Sequence, residues 1–298
     1  MSAGTVVVFV SFLSIVARSR ASSLYDNQSS WPGECTIGRS QSPILINTST
    51  TVSGSFSPLV LQNWNLPLYG IFKDTGKTVQ FTENPGAIVP TIIKNGITYY
   101  VCQFHFHWGS DNNGSEHQID NTKYGAELHM VSAKDLTYCS NLDAQTAPDA
   151  ILVIGVLYKA AVSPANAAIW NSLMVPTIYG LSNSVASVKY SDLLPSSLDY
   201  YFYNGSLTVP GCGEVVQWYL LKNTIDIPIA FLNTMRTVQT TSGSNVTLPC
   251  NSRNLQALNG RTVYSCQGTG CITSPGVGEK ASVIMMTVVG CLAIYLAN

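Results

Sequence analysis

His105 and His107 stand two residues apart in the run Gln103-Phe104-His105-Phe106-His107-Trp108-Gly109, and a third histidine follows in Glu127-Leu128-His129-Met130-Val131. The chain holds one more histidine, His117. On a β-strand, residues i and i+2 point to the same face, so His105 and His107 can present two imidazoles to one metal ion. His129, on a neighbouring strand, completes a facial set of three neutral nitrogens with one position open, the donor set of a catalytic zinc. Water in that position has its pKa lowered to about 7, which makes hydroxide available at neutral pH. Taken alone, a His-x-His pair is more often a partly exposed strand face than a ligand pair. The flanking residues favour the metal. Gln103 shares the face of His105 and His107 and can accept the second ring N–H of a ligand; Glu127, two before His129, can do the same for that ring.

Strands are needed to hold these side chains, and the composition supplies them. Tyr, Val, Thr and Ile are plentiful, and charged residues make up 10% of the chain. Short alternating runs, such as Thr98 to His107 and Ile151 to Lys159, are broken by Gly, Pro and Asn and predict strands. Asn166 to Val175 is the best helix candidate and is short. At 298 residues the chain is long enough for one large domain with a full core. Fifteen basic residues against sixteen acidic ones leave no positive surplus for a nucleic-acid partner.

With these motifs in place, the chain from about Tyr25 to Tyr264 resembles the α-class carbonic anhydrases, in particular their extracellular, lipid-anchored members. Gln41-Ser42-Pro43-Ile44 is similar to an early segment of the family, and Gly114-Ser115-Glu116-His117 to another of its motifs. Leu198 to Thr208 resembles its most specific stretch; Trp218, Arg236 and Asn251-Ser252-Arg253, with Gln256 and Arg261, match late positions. The resemblance implies a mainly β (α+β) single domain: a central, mostly antiparallel twisted sheet of about ten strands, a few short peripheral helices, and zinc at the base of a cone-shaped cleft. The implied activity is reversible hydration of carbon dioxide to bicarbonate and a proton, by attack of zinc-bound hydroxide, with inhibition by sulfonamides or anions.

Further roles follow from the same resemblance. Thr208 accepts the proton of the hydroxide in a hydrogen bond and donates its own to Glu116, while His117 is structural. Val131, Val153, Leu207 and Trp218 line an apolar pocket for carbon dioxide. Cys35 and Cys212 match the pair bridged in extracellular members. Three departures stand out: Lys77 occupies the position where fast members carry a proton-shuttling histidine, Val209 replaces a second threonine, and Gly211 replaces a second proline. The last puts a cis Pro210–Gly211 bond in doubt, whereas Ser42–Pro43 remains a cis candidate.

The ends of the chain point to secretion and anchoring. Thr5 to Val16 is a short apolar run, and Ser19-Arg20-Ala21 offers a cleavage point, so residues 1–21 are expected to be a signal peptide. Residues 22–266 are the expected enzyme domain, and 267–298 the spacer and hydrophobic signal for a GPI anchor. Gly268 is the first candidate for attachment and Ser274 the second. The apolar run Ala281 to Ala297 has no basic cluster beyond it, which favours a lipid anchor on the extracellular face of the plasma membrane; a single-pass helix or free secretion is the alternative. Sequons at Asn27, Asn47, Asn113 and Asn245 agree with secretion. A fifth, at Asn204, lies in the active-site segment and is expected to stay unmodified. Of eight cysteines, Cys102, Cys139, Cys250, Cys266 and Cys271 are left without assigned partners, and Cys291 falls in the tail; attachment at Gly268 would remove Cys271 as well. Two other functions fit the same residues: a non-catalytic surface binding module, and a zinc esterase acting on a larger substrate.

Overall fold

The computed structural model describes residues 24–54, 56–240, 246–268 and 270–273. The signal segment, the Asn245 sequon, Ser274 and the run Ala281 to Ala297 lie outside the described residues. Fourteen strands join in one sheet, ten of them along its main path. The order along the path is Ser182–Val188, Leu68–Asp74, Val79–Glu83, Ile97–Trp108, Ala126–Ala133, Ile151–Ala161, Val216–Leu221, Tyr200–Gly205, Tyr264–Cys266 and Val52–Ser53. Most neighbours are antiparallel. The main exception is Ile151–Ala161, which lies parallel to Val216–Leu221 and to Ile225–Pro228.

The two alternating runs seen in the sequence are strands, each slightly longer than expected: Ile97–Trp108 and Ile151–Ala161. The expected helix is shorter, Ala167–Ser172, because Pro176 disfavours helical backbone at the residue before it and shortens the run.

Alternate residues of the central strands serve two different faces. Phe104, Phe106, Leu128, Met130, Ile154 and Val156 point into the larger hydrophobic cluster. Phe81 and Phe104 stack there with centroids 4.9 Å apart. Val131, Val153, Trp218, Leu220 and Tyr203 belong to a second cluster on the opposite face. At about 25 cal/mol per Å² of buried apolar area, the two together supply the main driving force for folding.

The register of the long strand shifts between Val101 and Gln103. This bulge, at Cys102, brings Gln103, His105 and His107 opposite Val131, His129 and Glu127. Cys102 is bonded to Cys139, Cys35 to Cys212, and Cys266 to Cys271; Cys250 is free among the described residues. Ser42–Pro43 is cis and Pro210–Gly211 is not; Gly211 instead has φ +109°.

Folded structure continues past 266. Cys271 is buried, and Ile272–Thr273 pairs in parallel with Leu59–Gln62. These contacts lie beyond residue 266, the expected end of the enzyme domain. A cut after Gly268 would detach one half of a disulfide and a strand of the sheet. Gly268, the first candidate for attachment, precedes these contacts.

Candidate active site

The three predicted ligands converge. His105 and His129 are directly opposed in neighbouring strands, and His107 follows two residues along the same face. One ring nitrogen from each lies within 4.8 Å of the others. Each ring is held by its second nitrogen. His105 Nδ1 lies 2.9 Å from Gln103 Oε1, His107 Nδ1 lies 2.9 Å from the Asn251 carbonyl, and His129 Nε2 lies 2.8 Å from Glu127 Oε1. A backbone carbonyl and a carboxylate only accept, so His107 and His129 must donate to them. The remaining nitrogens then carry lone pairs that face one another, and His105 Nε2 and His107 Nε2 are 3.0 Å apart. Two unprotonated nitrogens at that distance repel unless a cation lies between them and the third ring.

Burial reinforces this arrangement by disfavouring imidazolium. It pushes His105 well below the usual histidine range, His107 down to about 4, and His129 downward. Three neutral, converging imidazoles with fixed tautomers fit a divalent ion such as zinc.

Glu127 does more than orient His129. Its Oε1 also lies 2.6 Å from His117 Nδ1, and its Oε2 accepts from the His117 backbone N–H at 2.7 Å. Burial alone would raise this carboxyl, but His117 and His129 outweigh it and hold Glu127 well below the usual carboxylate range. His117 Nε2 meets the Tyr203 hydroxyl at 2.6 Å, and that hydroxyl lies 2.8 Å from Ser42 Oγ. The cluster of His117, Glu127 and His129 also has the composition of a metal site, but its atoms are already bonded to one another.

Glu116 is fully buried behind His107. Its Oε1 accepts from the Arg253 backbone N–H at 2.7 Å, and burial raises its carboxyl to about 7. Thr208 lies against it and lowers the carboxyl somewhat. Glu116 Oε2 has no partner at full hydrogen-bond geometry.

A cavity of about 400 Å³ opens over the imidazoles. Val131, Val153, Leu207 and Trp218 form one wall, and Trp218 meets His129 edge-on at 4.7 Å. Thr208, Val209, Lys77 and Gln103 line the cavity too, and Lys77 is exposed at it. Glu116 and Glu127 lie beneath the floor. Asn204 is exposed, on the strand side opposite Tyr203 and Gly205, so its place in the active-site segment does not hide it.

Sequence reasoning missed several residues that shape this site. Asn251 donates from Nδ2 to the Phe106 carbonyl at 2.9 Å and accepts the Trp108 N–H on Oδ1 at 2.7 Å, fixing the strand on both sides of His107. Its only signal was membership of the Asn251-Ser252-Arg253 match. Gly155, opposite His129, leaves room for Glu127 and Leu220; a lone glycine inside an alternating run was the available hint. The segment from Cys139 to Asp143 forms part of the cavity mouth and had no signal.

Comparison with known proteins agrees with this geometry. Residues 26–267 match the eukaryotic-type carbonic anhydrase family. Carbonic anhydrase 1 of Mus musculus is 34% identical over 252 residues, covering 76% of this chain and 89% of its own length. Carbonic anhydrase 1 of Oryctolagus cuniculus is 36% identical over 169 residues, covering 55% of this chain and 72% of its own. A match spanning most of the chain, on a sheet that brings the three histidines together, means that the chain belongs to the eukaryotic-type carbonic anhydrases and is an enzyme of that kind, a carbonate dehydratase.

Proposed function

We propose that the chain hydrates carbon dioxide reversibly, using a zinc ion held by His105, His107 and His129. The observation that carries this reading is the set of three facing ring nitrogens, each ring tied back by an acceptor on its other side. Zinc bound there supplies hydroxide at neutral pH by lowering the pKa of its water to about 7. Gln103, Asn251 and Glu127 keep the rings in the tautomers that binding needs. When Glu116 is ionised it can only accept, so Thr208 donates to it and presents its oxygen to the cavity as an acceptor. A nucleophile that gives its single hydrogen to Thr208 then aims a lone pair at the apolar wall. Val131, Val153, Leu207 and Trp218 form that wall, which suits an uncharged substrate and excludes competing water. Sulfonamides and small anions should inhibit by taking the open position.

Stopped-flow hydration with and without a zinc chelator tests this reading. Activity should vanish on chelation and return with zinc; hydration that survives complete metal removal would refute it. Each single ligand replacement should abolish most activity and weaken zinc binding, and full zinc occupancy in a His129→Ala protein would reject the ligand set.

The same reading includes an extracellular, lipid-anchored enzyme. Its support is the short apolar run Thr5 to Val16, the terminal run Ala281 to Ala297, and three disulfides of a kind that persist in oxidising compartments. Because Cys271 and Ile272–Thr273 belong to the fold, Ser274 is the better attachment residue. Phosphatidylinositol-specific phospholipase C should release the protein from cells. Retention, with the Ala281–Ala297 peptide still present by mass spectrometry, would favour a membrane-spanning helix.

A further inference from the structure

Four sequon asparagines lie among the described residues, and they differ in what holds their side chains. Asn27 Oδ1 accepts from Ser29 Oγ at 2.8 Å, Asn47 Oδ1 accepts from the Ser49 N–H at 3.1 Å, and Asn113 Nδ2 donates to Asp111 Oδ2 at 3.4 Å. Asn204, in Asn204-Gly205-Ser206, makes no side-chain hydrogen bond among the described residues. Its backbone is engaged by the sheet and by Arg261, whose Nη1 donates to its carbonyl at 3.0 Å.

Strand geometry decides where that unspent amide stands. Side chains along Tyr200–Gly205 alternate between the two faces of the sheet. Tyr203 is buried in the cluster on the cavity side, and Phe202 packs against the larger cluster on the other side. Asn204 shares the side of Phe202 and is exposed there. Its cross-strand neighbour, Gln217, is buried and already committed: Nε2 donates to the Tyr99 hydroxyl at 2.9 Å, and Oε1 accepts from Lys94. The amide therefore meets water on the face away from the imidazoles, although Leu207 and Thr208 of the same segment line the metal cavity.

We infer that Asn204 carries an N-linked oligosaccharide, on the sheet face opposite the metal cavity. The inference rests on the extracellular reading above, because the donor, an oligosaccharide on a polyprenyl diphosphate, is met in the secretory pathway. The bond from Nδ2 to sugar C1 forms as the bond from C1 to the diphosphate oxygen breaks. Polyprenyl diphosphate leaves with the bonding pair, and the amide loses one proton to a base and keeps one N–H. Transfer must come before folding. Ser206 completes the sequon, and in the fold it is fully buried, its hydroxyl accepting from the Ser42 N–H at 2.9 Å. Once the strand has formed, the product is accommodated at little cost: no hydrogen bond is given up, and the sugar hydroxyls stay in water.

The test is mass spectrometry of intact glycopeptides from the full-length chain, made in cultured animal cells. The intact peptide is read because an Asn-Gly pair can form aspartate without any sugar. Most copies of the peptide holding Asn204 should carry an oligosaccharide, and Asn204→Gln should remove one glycan from the protein. Zinc-loaded wild type, the enzymatically deglycosylated protein and Asn204→Gln should agree in kcat/KM for carbon dioxide within about twofold, because the sugar projects away from the cavity. A bare Asn204 peptide in a protein whose Cys35–Cys212 is bonded overturns the inference and leaves secretion standing. A chain with reduced thiols and no glycan at any sequon overturns both. A several-fold change in kcat/KM on removing the sugar overturns its placement on the far face.

Discussion

Gly155 is the residue on which the seat of Glu127 depends most narrowly. A β-carbon there would lie 2.8 Å from Leu220 Cδ1 and 3.4 Å from Glu127 Oε1. Gly155→Ala should therefore cost about 1–3 kcal/mol of stability through overpacking, and zinc should leave faster as Glu127 shifts against His129. Denaturation and metal-release rates check both; a variant with unchanged metal release would show that Glu127 has slack. Lys77, exposed at the cavity, bears on a different prediction. Each hydration leaves a proton to export, and a lysine ammonium has no lone pair with which to take it. Turnover should thus rise with added imidazole buffer. Lys77→His should raise kcat several-fold at low buffer while kcat/KM stays nearly constant, since the carbon dioxide step is untouched; a wild type indifferent to buffer would point to another relay. Glu83 gives a pH signature. Burial raises its carboxyl although the Tyr190 hydroxyl donates to it at 2.6 Å. A raised folded pKa means that ionisation opposes folding, so this destabilisation is absent below the unfolded value near 4.5 and grows as pH climbs through the folded one. Glu83→Gln should accordingly raise the melting temperature at pH 7, with the gain disappearing near pH 4. An equal gain at both pH values would mean that packing, not charge, is responsible.

Among the elements, Ile97–Trp108 and the segment Leu136–Ser140 are joined by Cys102–Cys139, across 37 residues of sequence. The bond ties the bulge that sets the ligand register to one rim of the cavity. On the chain-entropy account a loop of this length is worth about 3–4 kcal/mol. A Cys102→Ser/Cys139→Ser protein should melt at a clearly lower temperature. An unchanged melting temperature, with both thiols titratable in the wild type, would show that the bond does not form. The alternation of Thr98 to His107 was visible in the sequence because one face of the strand is aromatic and the other polar. The bulge at Cys102 was not visible, since it depends on how many residues the partner strand offers, and no local composition encodes that count. The helix ran short for a reason that was present in the sequence, the proline at 176.

At the scale of the whole molecule, the mainly β class and the three imidazoles were legible because few residue types can hold a catalytic metal and their spacing suits strands. The acceptors Gln103 and Glu127 were legible for the same reason, lying two residues from their ligands. Asn251 was not, because its contact with His107 spans 144 positions. Nor was the place of Cys271, which lies in a stretch that looks like spacer yet is bonded to Cys266. The two-faced sheet has a further consequence for how the chain can change over generations. From Gln103 to His107, from Glu127 to Val131 and at Val153, the odd-numbered side chains lie on the cavity side of the sheet, while Phe104, Phe106, Leu128, Met130 and Ile154 face the core. Losing or gaining one residue within such a strand exchanges the two sets, sending imidazoles into hydrocarbon and phenyl rings towards the metal. Point substitution can tune this enzyme, but length change in its central strands is open only in steps of two or at the turns, where Asn95 and Gly96 already adopt positive φ. Indels that persist in descendants of this chain should therefore be found at the hairpin ends and almost never between Gln103 and His107.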